Sequence, residues 1–269
     1  MSYFNIVSQS DESTVVAEYT PQSQRSEAYQ SEADLENEFI RLLCELGYER
    51  LAIHKEADLI ANLRTQLEKL NDYRFTDGEW QRFWNEVLAN SNSGILEKTR
   101  LIQEDYVQVL RRDSGESKNI QLIDKKCIHQ YAISAKEGAA HDNRYDVTVL
   151  VNGLPLVHIE LKRRGVPIRE AFNQIDRYQR DSFWASSGLY EFVQIFVISN
   201  GTNTKYYSNT TRFNHIKDAK AQKVKQSKTS NSFEFTSFWA DANNRVLPDL
   251  VDFTKTFFCK HTILNILTR

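Results

Sequence analysis

The stretch YDVTVLVNGLPLVHIELK, residues 145–162, constrains this chain more than any other. Two apolar runs flank Asn152-Gly153, a dipeptide suited to a tight turn between antiparallel strands. The runs are apolar almost throughout, as strands buried on both faces are. The charges collect at the end away from the turn: Asp146 opens the first run, and Glu160 and Lys162 end the second. A lone carboxylate or ammonium buried in such a setting costs several kcal/mol unless a partner offsets it. A fold that accepts this chain must therefore bury the hairpin and also find partners for three charges at one end of it.

Side chains alternate along a strand, so Glu160 and Lys162 share a face with His158 and Leu156, while Val157, Ile159 and Leu161 point the other way. The register decides where Asp146 falls. A two-residue loop sets Asp146 against Ile159, on the wrong face. A three-residue, bulge-forming loop over 151–153 sets it against His158, diagonal to Glu160 on the same face. The two carboxylates then lie about 5–8 Å apart before their side chains bend inward, and both can reach one divalent ion at about 2.1 Å. In that arrangement Asp146 and Glu160 are hard oxygen ligands for Mg²⁺, and the backbone carbonyl of Leu161 can add a third. Lys162 can orient a water or stabilise charge on an attacked phosphodiester. A structural salt-bridge network uses the same three charges. E-x-K-like triplets also occur as ESK at 116–118 and DKK at 124–126, the first in a Gly-Ser turn, the second with no amphipathic helix after it.

The surroundings bear on that choice. In the helical pattern IREAFNQIDRYQRDSF, Gln174 and Tyr178 stand at i,i+4 and share a face; they suit a DNA contact or a brace for the metal strand, and Tyr178 equally suits a core cap beside Phe172 and Ile175. Ser31 is a natural N-cap with Asp34 as its capping-box partner, and Leu35, Phe39, Leu42 and Leu46 follow at helical spacing. On that helix Glu32 lies toward the apolar side and Glu36 one turn on, either as outer acids of the site or as favourable charges near a helix start. His158 reads as a neighbour of the site rather than a ligand. Arg163, Arg164 and Arg169 suit phosphates, or an ion-paired surface. Trp80 and Trp84 read as core.

Further helices are expected at EADLIANLRTQLEKL, TDGEWQRFWNEVLANS, with Thr76 and Glu79 as a capping box, and GILEKTRLIQEDY. The period then changes to strands at YVQVLRR, NIQLID and HQYAIS, with later strands at FVQIFVISN and TKYYSN and a helical apolar end, LPDLVDFTKTFFCKHTILNIL. Helices, strands, a helix and a strand again predict an α/β fold with a central mixed β-sheet flanked by helices. Residues 1–28 are polar and without period, and are expected to be a flexible extension. The lysine-rich stretch 215–231 is expected to be a solvated basic loop.

With net charge −2, no global positive field recruits nucleic acid, so contacts come from local patches or a delivering partner. The scattered cysteines, Cys44, Cys127 and Cys259, and the polar start predict free thiols in a reducing cytoplasm. No G-x-x-x-x-G-K-[ST] phosphate loop occurs, so ATP hydrolysis by that route is not expected.

The order helix-Glu, Asp, E-x-K, Q-x-x-x-Y resembles the PD-(D/E)xK nuclease superfamily in its RecB-like branch, with Tyr145 where the family's proline would stand. Within it, NRYDVTVLVNGLPLVHIELKRRGVPIREAFNQIDRY, FVISNGTNTKYYSN and SEADLENEFIRLLCELGYE resemble the N-terminal domain of the R (HsdR) subunit of type I restriction-modification enzymes, type IC in particular, over residues 29–269. The resemblance implies a restriction-endonuclease-like αβββαβ core over 29–260 and a Mg²⁺-dependent cleavage site of Asp146, Glu160 and Lys162. It makes Gln174 and Tyr178 the accessory motif, with Glu32 or Glu36 as the helix acid. It implies that 261–269 begins a linker to a motor domain absent here, which alone would use ATP. Duplex DNA and the methylation and specificity subunits are the implied partners. The rival reading is a non-catalytic docking module contacting the motor or the methyltransferase core.

Overall fold

A computed structural model describes residues 4–9, 15–21, 30–53, 55–125, 131–134, 146–181, 187–210 and 231–268. Its centre is a six-stranded mixed sheet. The strands are β3 (Glu49–Leu51), β6 (Tyr131–Ser134), β7 (Val147–Val151), β8 (Leu154–Leu161), β9 (Ile195–Ser199) and β10 (Thr204–Ser208), in the order β10-β9-β8-β7-β6-β3. β8 and β9 are parallel, as are β3 and β6, and the other neighbours are antiparallel. A parallel pair needs a crossover, and helix α5 (Arg169–Asp181) supplies it between β8 and β9. The expected mixed α/β architecture is present.

The two faces of the sheet are different in kind. Val147, Val149, Val157, Ile159, Leu161, Ile195 and Val197 turn to one side and join the large core. That side is covered by α1 (Glu32–Glu45), α2 (Glu56–Asn71), α6 (Leu250–Phe257) and α7 (Lys260–Leu267), whose Leu35, Phe39, Leu63, Phe253, Phe257 and Ile263 are buried in it. On the other side Phe196, Ile198 and Tyr207 meet Ala171, Phe172, Ile175 and Tyr178 of α5 in a second, smaller core. Both predicted capping boxes form. The Ser31 hydroxyl accepts from the Asp34 N–H at 3.1 Å while the Asp34 carboxylate accepts from the Ser31 N–H at 3.3 Å. Thr76 and Glu79 exchange the same pair of bonds at the start of α3 (Asp77–Phe83). Trp80 is buried in the large core, with Trp84 packed against it.

The hairpin β7–β8 turns on two residues, not on the three-residue loop the sequence suggests. Asn152 (φ 50) and Gly153 (φ 86) both occupy the left-handed region, as a tight twisted hairpin turn demands. A bulge in β8 then adds one residue: Leu150 pairs with Pro155 but Val149 pairs with Val157, leaving Leu156 extra. Pro155 has no N–H to continue the ladder, and the Leu156 carbonyl is taken by the Gln194 N–H at 2.9 Å. The turn rests on α2, where a Cβ at Gly153 would come within 2.8 Å of the Leu63 Cα.

Three features add to the sequence reading. Within residues 1–28, β1 (Phe4–Gln9) and β2 (Val15–Tyr19) pair as an antiparallel hairpin. Its last residue is tied down, with the Tyr19 hydroxyl donating to Asp252 Oδ1 at 2.7 Å in a buried contact. Within 261–269, Ile263, Leu264 and Leu267 of α7 are buried against the core. Strands β4 (Val107–Arg111) and β5 (Ser117–Gln121) stand apart as their own hairpin rather than entering the sheet. The Asn71 side chain takes both backbone groups of Gln121, at 2.6 and 2.9 Å, and so occupies the bonds a further strand would make. α4 (Ile95–Gln103) precedes that hairpin as expected.

Replacing Gly153 by Ala forces a side chain into a left-handed conformation and against the α2 backbone. A loss of about 1–3 kcal/mol is expected, the usual cost of such strain. It would be read as a lowered midpoint in urea unfolding, and an unchanged midpoint would show that α2 yields freely.

Candidate active site

The pairing Val147–Ile159, carried one residue on, sets Asp146 level with Glu160 rather than His158. The bulge at Leu156 shifts the register opposite to a three-residue loop, yet by an odd step from the plain turn, so the two acids still share a face. The geometry around them is tight. The Leu161 N–H donates to Asp146 Oδ2 at 2.7 Å. Lys162 Nζ lies 3.2 Å from Glu160 Oε1 and 3.2 Å from the Leu161 carbonyl oxygen. Asp146 is partly buried and Glu160 fully.

Glu160 Oε2 is buried and makes no hydrogen bond among the described residues. Burial, reinforced by Glu160 opposite, pushes the Asp146 carboxyl up to about 8. Burial likewise pushes Glu160 up to about 8, against the pull of the Lys162 ammonium. An orphaned carboxylate oxygen in a dry site is one a cation can satisfy. Asp146, Glu160 and the Leu161 carbonyl, which has a second lone pair beyond the one facing Lys162, are a hard oxygen set that fits Mg²⁺. No three His, Cys, Asp or Glu side chains among the described residues form a closed cage, so such an ion would keep several waters, as Mg²⁺ commonly does.

The structure brings the helix acids to the same end. Glu32 Oε2 is 3.8 Å from Lys162 Nζ and half-exposed. Glu36 is buried, and its charge helps raise Asp146. From the other side, Gln174 Nε2 donates to the Tyr178 hydroxyl. Tyr178 is buried, and burial followed by the Glu160 charge raises its hydroxyl above the ordinary range. His158 is a braced neighbour: its Nδ1 is 3.2 Å from Thr148 Oγ1, its Nε2 3.7 Å from Glu160 Oε2, and its ring meets Tyr178 and Phe196 edge-on.

The arginines divide. Arg163 is exposed, Arg164 is partly buried beside Gly201, and the Arg169 guanidinium sits 4.6 Å from the centre of the Phe233 ring. All but the last residue of the lysine-rich 215–231 stretch lies outside the described residues, as does Cys127. Cys44 and Cys259 are free thiols. Sequence reasoning passed over Thr148, two residues from Asp146 and so on its face, and Arg177, whose charge lowers Glu160. Strand parity and adjacency to Tyr178 were the available signals.

The raised carboxyls set a pH dependence for the metal-free chain. Between their ordinary values, 3.8 and 4.5, and about 8, the folded state binds more protons than the unfolded one. Stability therefore falls as pH rises through that window. Urea unfolding in chelator at pH 5 and pH 8 should show the loss, and Glu160→Gln should reduce it. Equal pH dependence in the two proteins would remove Glu160 as a source.

The model of the family "Type I restriction enzyme R protein N terminus" matches residues 29–215. The chain is 44% identical over 266 residues to the type I restriction enzyme EcoprrI endonuclease subunit of Escherichia coli, covering 97% of this chain and 80% of that one. It is 35% identical over 251 residues to the type I restriction enzyme SauMSSORF170P endonuclease subunit of Staphylococcus aureus, covering 90% of this chain but 24% of the relative. A more distant relative is a putative type I restriction enzyme endonuclease subunit of Methanocaldococcus jannaschii, 28% identical over 150 residues, 51% of this chain and 14% of that one. By family match and by relatives, the chain belongs to the N-terminal region of type I restriction enzyme R proteins.

Proposed function

We propose that this chain is the Mg²⁺-dependent endonuclease domain of a type I restriction enzyme, hydrolysing phosphodiester bonds of duplex DNA. The observation that carries this reading is Glu160 Oε2, buried and without a hydrogen bond among the described residues, level with Asp146 and beside the Lys162 ammonium. The printed names of the relatives, endonuclease subunits, support it. When bound, Mg²⁺ lowers the pKa of a water and draws charge from the phosphodiester.

The chain's own residues do the rest. Asp146, Glu160 and the Leu161 carbonyl would hold the ion, and the Leu161 N–H fixes the rotamer of Asp146 at 2.7 Å. Lys162, held between Glu160, the Leu161 carbonyl and Glu32, presents an ammonium where negative charge grows on the phosphoryl oxygens, in a site dry enough to strengthen it. Tyr178 and Gln174 close the side of the site toward α5, and Glu36 backs Asp146 from α1.

The same proposal places the domain in a larger cytoplasmic assembly. Cleavage follows translocation by an ATP-driven motor, and the methylation and specificity subunits deliver the DNA. The chain's span of 24% of the staphylococcal relative leaves length in such proteins for a motor. ATP acts only there, since these 269 residues hold no phosphate loop. No helix among the described residues is long and apolar enough to cross a membrane.

In the assembled enzyme, Glu160→Gln should abolish cleavage of plasmid DNA and Mg²⁺ binding by calorimetry while leaving the circular dichroism spectrum unchanged. Lys162→Ala should retain metal and lose roughly 10²–10³-fold in cleavage rate, the usual worth of one charge-stabilising donor. Wild-type cutting by Glu160→Gln, or metal binding that ignores it, would turn the reading toward a docking module.

A further inference from the structure

The row that holds the two acids continues across the sheet. Glu160 pairs with Ile198 of β9, and Ile198 pairs with Lys205 of β10. Paired residues share a face, so Asp146, Glu160, Ile198 and Lys205 form one line at one end of the sheet. With strands about 4.8 Å apart, Lys205 is rooted about 10 Å from Glu160.

At the end of this row stands a cationic and aromatic patch. Lys205 Nζ is 5.1 Å from the centre of the Phe233 ring and 4.7 Å from that of Phe238, and it donates to Thr236 Oγ1 at 3.0 Å. The Arg169 guanidinium lies against the same Phe233 ring at 4.6 Å. Neither cation forms an ion pair with a carboxylate among the described residues, although Glu170 and Glu234 are close in sequence. Lys205 is half-buried, and burial alone lowers its pKa. Two cations gathered on one ring gain modestly from its face but repel one another, and among the described residues no carboxylate pairs with either to relieve them. Phe238, 40% exposed, keeps an apolar rim on the patch.

We propose that Lys205 and Arg169, gathered on Phe233, form a seat for backbone phosphates of the duplex DNA that lies across the Asp146–Glu160 row. The inference rests on the nuclease reading above for the direction of the DNA. The seat faces the same end of the sheet as the acids and lies along their row. Ile198, between them in the row, is buried under α5, so the duplex would pass along the end of the sheet; successive phosphates on a strand advance 3.4 Å along the helix axis, which brings one level with Lys205 within a few nucleotides of the acids. Phosphate contacts of this kind set position and register and carry no sequence information. That suits a chain of net charge −2, whose grip must be local.

The test is duplex binding by the intact chain, followed by fluorescence anisotropy in chelator at a series of salt concentrations. Each phosphate contact contributes about 0.9 to the slope of log affinity against log salt. Lys205→Gln with Arg169→Gln should weaken binding and flatten the slope by roughly 2, and Lys205→Arg should restore its share. Arg169 is exposed, so Arg169→Gln alone, with a change of roughly 1, carries the test if the double variant does not fold. An unchanged slope overturns the seat. So does an unchanged slope with lost assembly onto the other subunits, which would assign the patch to a protein partner. Because no metal is present, the result is separate from the nuclease reading: a flattened slope beside wild-type cleavage by Glu160→Gln would keep the seat and discard the catalytic assignment.

Discussion

Two carboxylates buried level with one another, at the end of an otherwise apolar hairpin, are the constraint to which the rest of the molecule answers. Burial disfavours the ionised form of each, and the Glu160 charge adds to it at Asp146, so both carboxyls rise to about 8. A chain selected for stability alone would place an apolar residue there, as it does at most other positions of β7 and β8. The neighbouring groups are instead arranged to contain the cost: the Leu161 N–H on Asp146, the Lys162 ammonium on Glu160, and Glu32 behind Lys162. The containment is incomplete, since Glu160 Oε2 has no hydrogen-bond partner among the described residues. That unsatisfied carboxyl oxygen is the feature on which the proposed metal site rests.

The two faces of the sheet divide the labour. The face toward α1, α2, α6 and α7 buries a continuous aliphatic and aromatic core. The stability obtained there, at about 25 cal/mol per Å² of apolar surface removed from water, is what permits strained chemistry on the other face. That other face carries a smaller core under α5 and, beyond it, the acids, Tyr178 and the cations. Local backbone detail connects the two. The bulge at Leu156 is an odd step in register, and one residue of slip exchanges the faces of every side chain beyond it. Without it Asp146 would enter the aliphatic core and Glu160 would stand alone. Pro155 makes the bulge easy by withholding an N–H, and Gln194 accommodates it by bonding the Leu156 carbonyl.

Features governed by neighbours in sequence were legible in the sequence. Ser31 with Asp34 and Thr76 with Glu79 start helices through bonds spanning three residues. Asn152-Gly153 turns the hairpin through its own backbone preferences, and the apolar alternation around it is enough to predict a buried pair of strands. The grouping of Asp146, Glu160 and Lys162 could be argued from parity along two strands, although the loop length assumed was wrong and the opposing residue with it. The N-terminal hairpin escaped because its first strands carry polar residues and its anchor, Tyr19 to Asp252, joins residues 233 positions apart. The last helix was legible as an apolar helical end, but the burial of its Ile263 and Leu267 depends on the core it meets.

The sequence by itself therefore determined the local elements, their caps and turn, and the presence of three charges on a hairpin too apolar to leave exposed. Only the tertiary structure decided that the bulge sets Asp146 level with Glu160, that α1 and α5 bring Glu32, Glu36, Gln174 and Tyr178 to the same end, and that Lys205 shares their row. Sequence pattern reports the period of one element at a time. The register between elements is chosen by the balance of long-range burial and hydrogen bonding, which no single stretch of the chain contains.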